Sequence, residues 1–186
     1  MSADDINDWS VEKIGKTFPV NLVDFKPKWK SIYMKETKII MQALPNTEGI
    51  RLFHIGSTAM HGIKSKDTID ILLEVPNSVS IERLRIALGI IEYHAIPQPD
   101  EPPPSLMFAK GYTPGGISGQ TFHLHLRYPE KHKELIFLNF MNSHPILANK
   151  YEQLKLRLAE KHHFDREKYT NGKTEFIEKI MQKARG

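Results

Sequence analysis

The chain has 186 residues, of which 40% are hydrophobic and 26% charged, a balance typical of a globular protein that is long enough to bury a substantial core. It contains no cysteine, which excludes disulfide bonds, thiolate metal ligands and a cysteine nucleophile. The net charge of +4 comes from mixed basic and acidic residues and does not favour nucleic acid as a partner, and no apolar run approaches the ~20 residues that cross a bilayer.

The first part of the chain is predicted to combine an N-terminal extension, residues 1–18, with the start of the domain. A short helix is predicted over residues 4–17, and the acidic start lacks the basic and apolar parts of a signal peptide, so we expect a cytoplasmic protein. A short strand is predicted over residues 20–25. Pro27 then opens a helix with an apolar stripe, which ends at Pro45.

The segment around Gly56 is the most informative part of the sequence. A strand over Arg51–Ile55 leads into Gly56-Ser57 and one short helical turn, and a second strand over residues 68–75 carries Asp70. Free backbone N–H groups and the Ser57 hydroxyl can hold a phosphate at such a turn, and a carboxylate on the next strand can hold the accompanying metal ion. The layout predicts a site of the nucleotidyltransferase kind with Asp70 as the catalytic residue. The alternative is that Ser57 simply caps the short helix.

The remaining elements are predicted from turn residues and apolar spacing. Ser80 caps a helix over residues 81–91, residues 97–104 form a solvated proline-rich loop, and strands over 105–111 and 121–128 make a hairpin. Helices occupy residues 144–186, beginning at Pro145. We therefore expect one α/β (α+β) domain over residues 1–186. Its sheet is mixed and mostly antiparallel, with about five strands, helices on one face and a helical C-terminal extension.

Two histidines in the second strand of the hairpin are candidate metal ligands. Side chains alternate along a strand, so His123 and His125 share one face. With Asp70 they would form a two-histidine, one-carboxylate site, and imidazole ligands favour Zn, Mn, Fe or Ni over Mg. We expect the three side chains within about 8 Å of one another in one cleft. The residues alone leave open that both histidines are ordinary half-buried strand residues.

The carboxylates that two-metal phosphoryl transfer requires are incomplete in this sequence. The usual nucleotidyltransferase pattern has a second carboxylate two residues after the first, and here that residue is Leu72. Glu74 has the right strand parity but lies ~6–7 Å further along the strand, and Asp67 has the wrong parity. This departure argues against nucleotidyl transfer.

Several motifs, in this order, resemble the signature of the bacterial GrpB family. They are His54-Ile55-Gly56-Ser57-Thr58-Ala59, Gly62, Lys66, Ile69-Asp70-Ile71, Phe122-His123-Leu124-His125-Leu126, His144-Pro145, Tyr151, Leu154-Lys155, Tyr169-Thr170 and Lys173. The resemblance covers about residues 20–184 and implies a nucleotidyltransferase-like fold. It also favours Lys66 and the His-x-His motif as parts of the site. The family pattern has Arg-Asp where this chain has Leu138-Asn139.

The predicted function is the binding of a phosphorylated small molecule, a nucleotide or a coenzyme, with nucleotidyl or phosphoryl transfer as its enzyme form. The predicted ligand contacts are His54, Gly56, Ser57, Lys66 and Arg127, and the predicted metal ligands are Asp70, His123 and His125, with Mg, Mn or Zn as the ion. The alternative is a non-catalytic ligand-binding or regulatory domain with a degenerate active site. In some relatives this domain is joined to a dephospho-coenzyme A kinase, so the resemblance points toward coenzyme A metabolism.

Overall fold

The computed structural model describes residues 9–185. Its helices are α1 (Val11–Thr17), α2 (Lys28–Ala43), α3 (Ile81–Ile90), α4 (Lys133–Ser143), α5 (Pro145–Lys161), α6 (Arg166–Asn171) and α7 (Thr174–Arg185). Its strands are β1 (Arg51–Ile55), β2 (Thr68–Glu74), β3 (His94–Pro97), β4 (Leu106–Thr113) and β5 (Gly116–Arg127), and a 3₁₀ turn over Ser57–Ala59 follows β1. None of the helices in residues 9–185 is both long enough and apolar enough to cross a bilayer.

The five strands form one sheet in the order β1-β2-β5-β4-β3. Only the pairing of β2 with β5 is parallel, and the other three pairings are antiparallel. The prediction of a mixed, mostly antiparallel sheet is therefore confirmed. The parallel pairing places Asp70 opposite His123 and Glu74 opposite Arg127, so residues that share one face of the sheet also lie side by side.

One face of the sheet is buried under α2 and α3. Ile69, Ile71 and Leu73 of β2 point to this face and are fully buried, together with Trp29 of α2 and Leu88 of α3. Burial of each such side chain contributes about 1.5–3 kcal/mol. Because side chains alternate along β2, Asp70 and its neighbours in parity point to the opposite face.

Part of the opposite face is covered by the C-terminal half of the chain. Helices α4, α5 and α7 pack around a second apolar cluster, which includes Met60 and Ile63 from the segment after the 3₁₀ turn. His132, at the start of α4, lies with its ring 6.4 Å from that of Phe53 on β1. Helices therefore lie on both faces of the sheet, which corrects the prediction that they occupy one face.

The segment before α2 also differs from the prediction. The strand predicted over residues 20–25 is wrong, because only Val23 makes a β-bridge there, to Ser65. The Val20 N–H donates instead to the carbonyl of His163 at 2.7 Å, so this segment is tied to the C-terminal helices. Of the helix predicted over residues 4–17, α1 accounts for the part from residue 11, and residues 4–8 lie outside the described part of the chain.

The sequence predicts neither α4 nor β3. In α4, Ile136, Phe137, Leu138, Phe140 and Met141 are all buried or half-buried, so its apolar residues do not form the one-sided stripe that indicates a helix. Strand β3 has four residues and lies at the edge of the sheet, paired with β4. The predicted helix starts agree with the structure. Pro27 and Ser80 are the N-caps of α2 and α3, and Pro145 is the first residue of α5.

Candidate functional site

The parallel pairing of β2 and β5 brings Asp70, His123 and His125 together. His123 Nδ1 lies 3.2 Å and His125 Nε2 lies 3.4 Å from Asp70 Oδ1. One potential ligand atom from each residue lies within 4.8 Å of the others. The three side chains are 17–25% exposed, so a ligand can reach them from solvent. This donor set and spacing fit a divalent transition-metal ion.

The charge states of these residues suit metal binding. Burial by itself raises the pKa of Asp70, but the hydrogen bonds with the two histidines outweigh it and lower that pKa below its ordinary value. Burial lowers the pKa of His123, against the opposing effect of the Asp70 charge. At neutral pH the carboxyl group is therefore ionised and the His123 imidazole is neutral, the forms that bind metal ions.

Tyr112 of β4 holds the His123 ring from its far side. The Tyr112 hydroxyl lies 2.8 Å from His123 Nε2, which leaves Nδ1 directed at Asp70. Arg166 of α6 donates a longer hydrogen bond of 3.5 Å to the same hydroxyl. A hydrogen bond to the second ring nitrogen is the usual way to orient a metal-binding histidine.

Gly56 lies directly against the Asp70 carboxylate. Its φ is +69°, and a Cβ atom at this position would stand 2.4 Å from Asp70 Oδ2, so only glycine fits. Gly56 is also the N-cap of the 3₁₀ turn, and Ser57 is the first residue inside the turn. The alternative prediction that Ser57 caps this turn is therefore wrong, and the Gly-Ser turn borders the cleft.

A group of basic side chains lies on the side of the cleft formed by the C-terminal helices. The Nζ atoms of Lys66 and Lys173 lie 5.5 Å and 4.6 Å from the centroid of the Tyr169 ring. The negative charge of Asp70 opposes in part the lowering of the pKa values of Lys66, Lys155 and Lys173 by burial. The cleft thus combines one carboxylate with several cations.

These lysines have lowered pKa values. Burial is the main cause, and it lowers the pKa of Lys66 to about 7, with a further contribution from the charge of Arg166. Burial and the neighbouring Lys173 lower the pKa of Lys155 to about 7, and burial lowers that of Lys173 itself to about 8. An anion placed among them would favour their charged forms.

Two of the predicted ligand contacts lie away from this cluster. His54 pairs with Ile71 in the sheet and therefore points to the opposite face from Asp70. Its ring stacks on Tyr33 at 4.7 Å, and its Nε2 lies 3.1 Å from the Thr58 hydroxyl. Burial lowers the pKa of His54 to about 4, so the ring is neutral. This histidine contacts the 3₁₀ turn from the face of the sheet opposite Asp70.

Arg127 is the second such residue. It is 3% exposed, and its Nη2 lies 2.9 Å from Glu101 Oε2 and 3.0 Å from Glu134 Oε1. Its neighbour Glu74 is paired with His132 Nε2 at 2.5 Å and with Arg51. This end of β2 and β5 is a closed network of paired charges, which leaves Arg127 with no free charge to offer a phosphate.

Four residues of the cleft were not predicted as site residues: Tyr112, Lys155, Arg166 and Lys173. Lys155 and Lys173 belong to the motifs that resemble the family signature, and this resemblance could have identified them as site residues. Tyr112 and Arg166 carry no sequence signal, because their roles depend on the packing of α6 against β4.

The fold of the chain is similar to that of a nucleotidyltransferase. A structure of the Cid1 poly(U) polymerase with MgGTP bound superposes with a TM-score of 0.50 and 10% sequence identity, over 74% of this chain and 43% of that one. At this identity the likeness shows the fold alone.

The chain belongs to the GrpB family, whose model, described as GrpB protein, matches residues 19–183. The crystal structure of GrpB from Enterococcus faecalis superposes with a TM-score of 0.75 and 25% identity, over 88% of this chain and 96% of that one. The glutamate-rich protein GrpB of Alkalihalophilus pseudofirmus is 30% identical over 87% of this chain and 94% of its own length.

Other curated relatives are longer than the matched region. A UPF0157 protein of Pseudomonas aeruginosa is 31% identical over 89% of this chain, and the match covers 67% of that relative. The UPF0157 protein YqkA of Bacillus subtilis is 30% identical over 89% of this chain, and the match covers 47% of it. The chain thus spans about two thirds and about half of these two relatives.

Proposed function

We propose that the cleft around Asp70 binds a phosphorylated small molecule, a nucleotide or a coenzyme, together with a divalent metal ion. The observation that carries this proposal is the meeting of two features in one cleft. One is the metal-ligand set of Asp70, His123 and His125. The other is a basic group on the neighbouring α6: Arg166 reaches the Tyr112 hydroxyl that holds His123, and Lys66 and Lys173 lie against the ring of Tyr169. A bound metal ion beside several cations requires an anionic ligand between them, and phosphate is the anion that basic side chains and metal ions bind jointly.

Each part of the cleft has a role in this proposal. Asp70, His123 and His125 would hold the ion, which supplies positive charge next to a phosphate oxygen. The backbone N–H groups of the Gly56-Ser57 turn and the Ser57 hydroxyl would donate hydrogen bonds to the phosphate. The donor set of two imidazoles and one carboxylate favours Zn or Mn over Mg.

Transfer of a nucleotidyl or phosphoryl group is the enzyme form of this proposal, and binding without turnover is the second candidate. The second is favoured by Leu72, which is fully buried and stands where a second carboxylate is needed. A protein of this kind would act as a ligand-binding or regulatory domain. Coenzyme A and dephospho-coenzyme A are candidate ligands because of the link that the family resemblance provides.

A panel of thermal-unfolding measurements tests the proposal. Nucleoside mono-, di- and triphosphates, coenzyme A and dephospho-coenzyme A are each added with Mg, Mn, Zn or no metal. A ligand present at 100 times its Kd adds ~2.7 kcal/mol to the free energy of unfolding, which is readily measured as a rise in Tm. A panel in which no phosphorylated compound raises Tm, with or without metal, would contradict the proposal.

The Ser57→Ala variant tests the position of the phosphate. Loss of one charge-assisted hydrogen bond of ~1.5 kcal/mol should weaken binding of the ligand found in the panel about tenfold. Ser31→Ala is the matched control, because Ser31 is exposed on α2 and its hydroxyl donates to the Lys28 carbonyl. Equal affinity in Ser57→Ala and Ser31→Ala would place the phosphate away from the turn.

A further inference from the structure

The cleft contains more basic than acidic side chains. Arg166 Nη2 lies 3.5 Å from the Tyr112 hydroxyl, which in turn lies 2.8 Å from His123 Nε2. Tyr169 follows Arg166 by three residues on α6, and the Nζ atoms of Lys66 and Lys173 lie 5.5 Å and 4.6 Å from the centroid of its ring. Arg166 is fixed in place, because its Nη1 donates to the Phe18 carbonyl at 3.0 Å. The three metal-ligand side chains therefore lie in a field set by more cations than anions.

Lys155 adds to this field from a buried position. It is 1% exposed, and its Nζ donates to the Lys64 carbonyl and lies 3.4 Å from the Ser65 hydroxyl. These contacts hold the ammonium group in place. Lys66 and Lys173 are less deeply buried than Lys155, and the exposed part of each can contact a ligand directly.

Such a cleft should treat a metal ion and an anion differently. A divalent cation that arrives alone at Asp70 meets the repulsion of Arg166 and of the charged forms of Lys66 and Lys173, with one carboxylate to offset it. A dianion that arrives alone meets attraction from the same cations. Once the anion is present, its charge cancels the repulsion and adds attraction for the metal ion.

We propose that the metal ion and a dianion bind this cleft cooperatively. The dianion lies against Lys66, Lys173 and Arg166, and the Asp70–His123–His125 cluster binds a metal ion tightly only when that anion is present. This inference rests on the proposed function and specifies the charge of its ligand and the order of binding. By linkage, the metal ion must strengthen anion binding by the same factor.

The coupling can be measured with Co²⁺ and sulfate as probes. Co²⁺ bound to histidine and carboxylate ligands has a visible absorption spectrum, and sulfate is a tetrahedral dianion that binds free Co²⁺ weakly. Co²⁺ is titrated in sulfate and in chloride at equal ionic strength and pH. We expect the Kd for Co²⁺ to fall about tenfold in saturating sulfate, within the usual range of coupling between sites. The Kd for sulfate should fall by the same factor in saturating Co²⁺.

Charge-removal variants separate coupling from a structural effect. Lys173→Met keeps the length of the side chain and removes one cation, so Co²⁺ alone should bind more tightly than to the wild type and gain less from sulfate. Lys66→Met should behave in the same way. Lys179→Met is the control, because Lys179 is exposed on α7 and paired with Glu175. A variant that merely disturbed the fold would not bind the metal ion more tightly.

Asp70→Asn gives the complementary result. It should lose Co²⁺ binding and keep sulfate binding, because the cations remain. Equal Co²⁺ affinity in sulfate and chloride, or no Co²⁺ binding in either, would overturn the inference. Either result leaves the thermal-unfolding panel as a separate test, so failure of the coupling and failure of the proposed function are distinguishable.

Discussion

The contact between Gly56 and the Asp70 carboxylate sets the distance between the Gly-Ser turn and the metal-ligand cluster. We predict that Gly56→Ala will destabilise the protein and displace Asp70. A non-glycine residue at this positive φ costs about 1–3 kcal/mol, and the new Cβ would also overlap Asp70 Oδ2. Chemical denaturation measures the loss of stability, and Co²⁺ titration in sulfate measures the displacement of Asp70.

Gly119→Ala provides the control for this prediction. Gly119 has a φ of +72°, and a Cβ there would meet no atom within 4 Å. It should therefore lose stability through backbone strain alone and keep the metal affinity of the wild type. Similar metal affinities in the two variants would mean that Gly56 does not position Asp70.

The lowered pKa values of the lysines predict how anion binding depends on pH. Lys66 and Lys155 have pKa values of about 7, and Lys173 has one of about 8, so these groups are charged below those values and neutral above them. Anion binding requires the charged forms, so affinity is present at low pH and lost as pH rises through this range. Sulfate keeps its charge throughout, and its Kd should rise about tenfold or more between about pH 6 and about pH 9, the effect of losing a charge-assisted bond. A flat profile would exclude these lysines as anion contacts.

Strand β2 illustrates what the sequence could and could not predict. Period-two alternation predicts that Asp70, Leu72 and Glu74 share a face, and the structure agrees. The same rule groups His123 and His125 on β5. Alternation does not give the register between two strands, and it is the register that sets Asp70 beside His123 and Glu74 beside Arg127.

The position of His54 shows the limit of the same argument. The sequence places it next to the Gly-Ser turn, but parity along β1 directs it to the face covered by α2. Adjacency in sequence is not adjacency in the cleft, because neighbouring strand residues point to opposite faces. Its bond to the Thr58 hydroxyl connects it to the turn indirectly.

The two acidic residues of β2, Asp70 and Glu74, should differ in function. Glu74 is 1% exposed and paired with His132 and Arg51, so we predict that Glu74→Gln lowers stability and leaves Co²⁺ affinity unchanged. The expected loss is about 3 kcal/mol, the lower end for a broken buried pair, because Arg51 is largely exposed. Denaturant titration and Co²⁺ titration measure the two effects.

Glu175→Gln is the control for the stability effect. Glu175 is exposed and pairs with Lys179 one turn along α7, so its replacement should change stability by less than about 0.5 kcal/mol. A fall in Co²⁺ affinity in Glu74→Gln comparable to that in Asp70→Asn would mean that the network around Arg127 belongs to the metal site.

The cleft as a whole is formed between the sheet and the C-terminal helices. The sheet supplies Asp70 and the histidines, and α5, α6 and the segment before α7 supply Lys155, Arg166 and Lys173. Sequence periodicity predicts that these helices exist and which of their faces are apolar. It does not predict which polar side chains their packing directs at β2, so the cationic side of the site follows only from the tertiary structure.

In the described part of the chain, no second carboxylate lies beside Asp70 for two-metal chemistry. Leu72 is fully buried, and Asp67 is held by Lys26 and by a 2.7 Å hydrogen bond from Trp29 Nε1. Glu74 is occupied by its own partners. Within residues 9–185, only Asp70 with its two histidines forms a group of donors close enough to hold a metal ion.

We therefore predict weak or no nucleotidyl transfer with Mg and any of the four common nucleoside triphosphates. Two-metal transfer requires protein ligands on both metal ions. One carboxylate and two imidazoles can bind a single ion, and this donor set prefers Zn or Mn to Mg. Release of pyrophosphate and labelling of added acceptors by radioactive triphosphates measure the activity, while binding of the same triphosphates with Mn or Zn should persist. Robust Mg-dependent turnover that Asp70→Asn abolishes would refute the prediction. It would require a second carboxylate to enter the cleft, either by release of Glu74 from His132 or from a partner molecule.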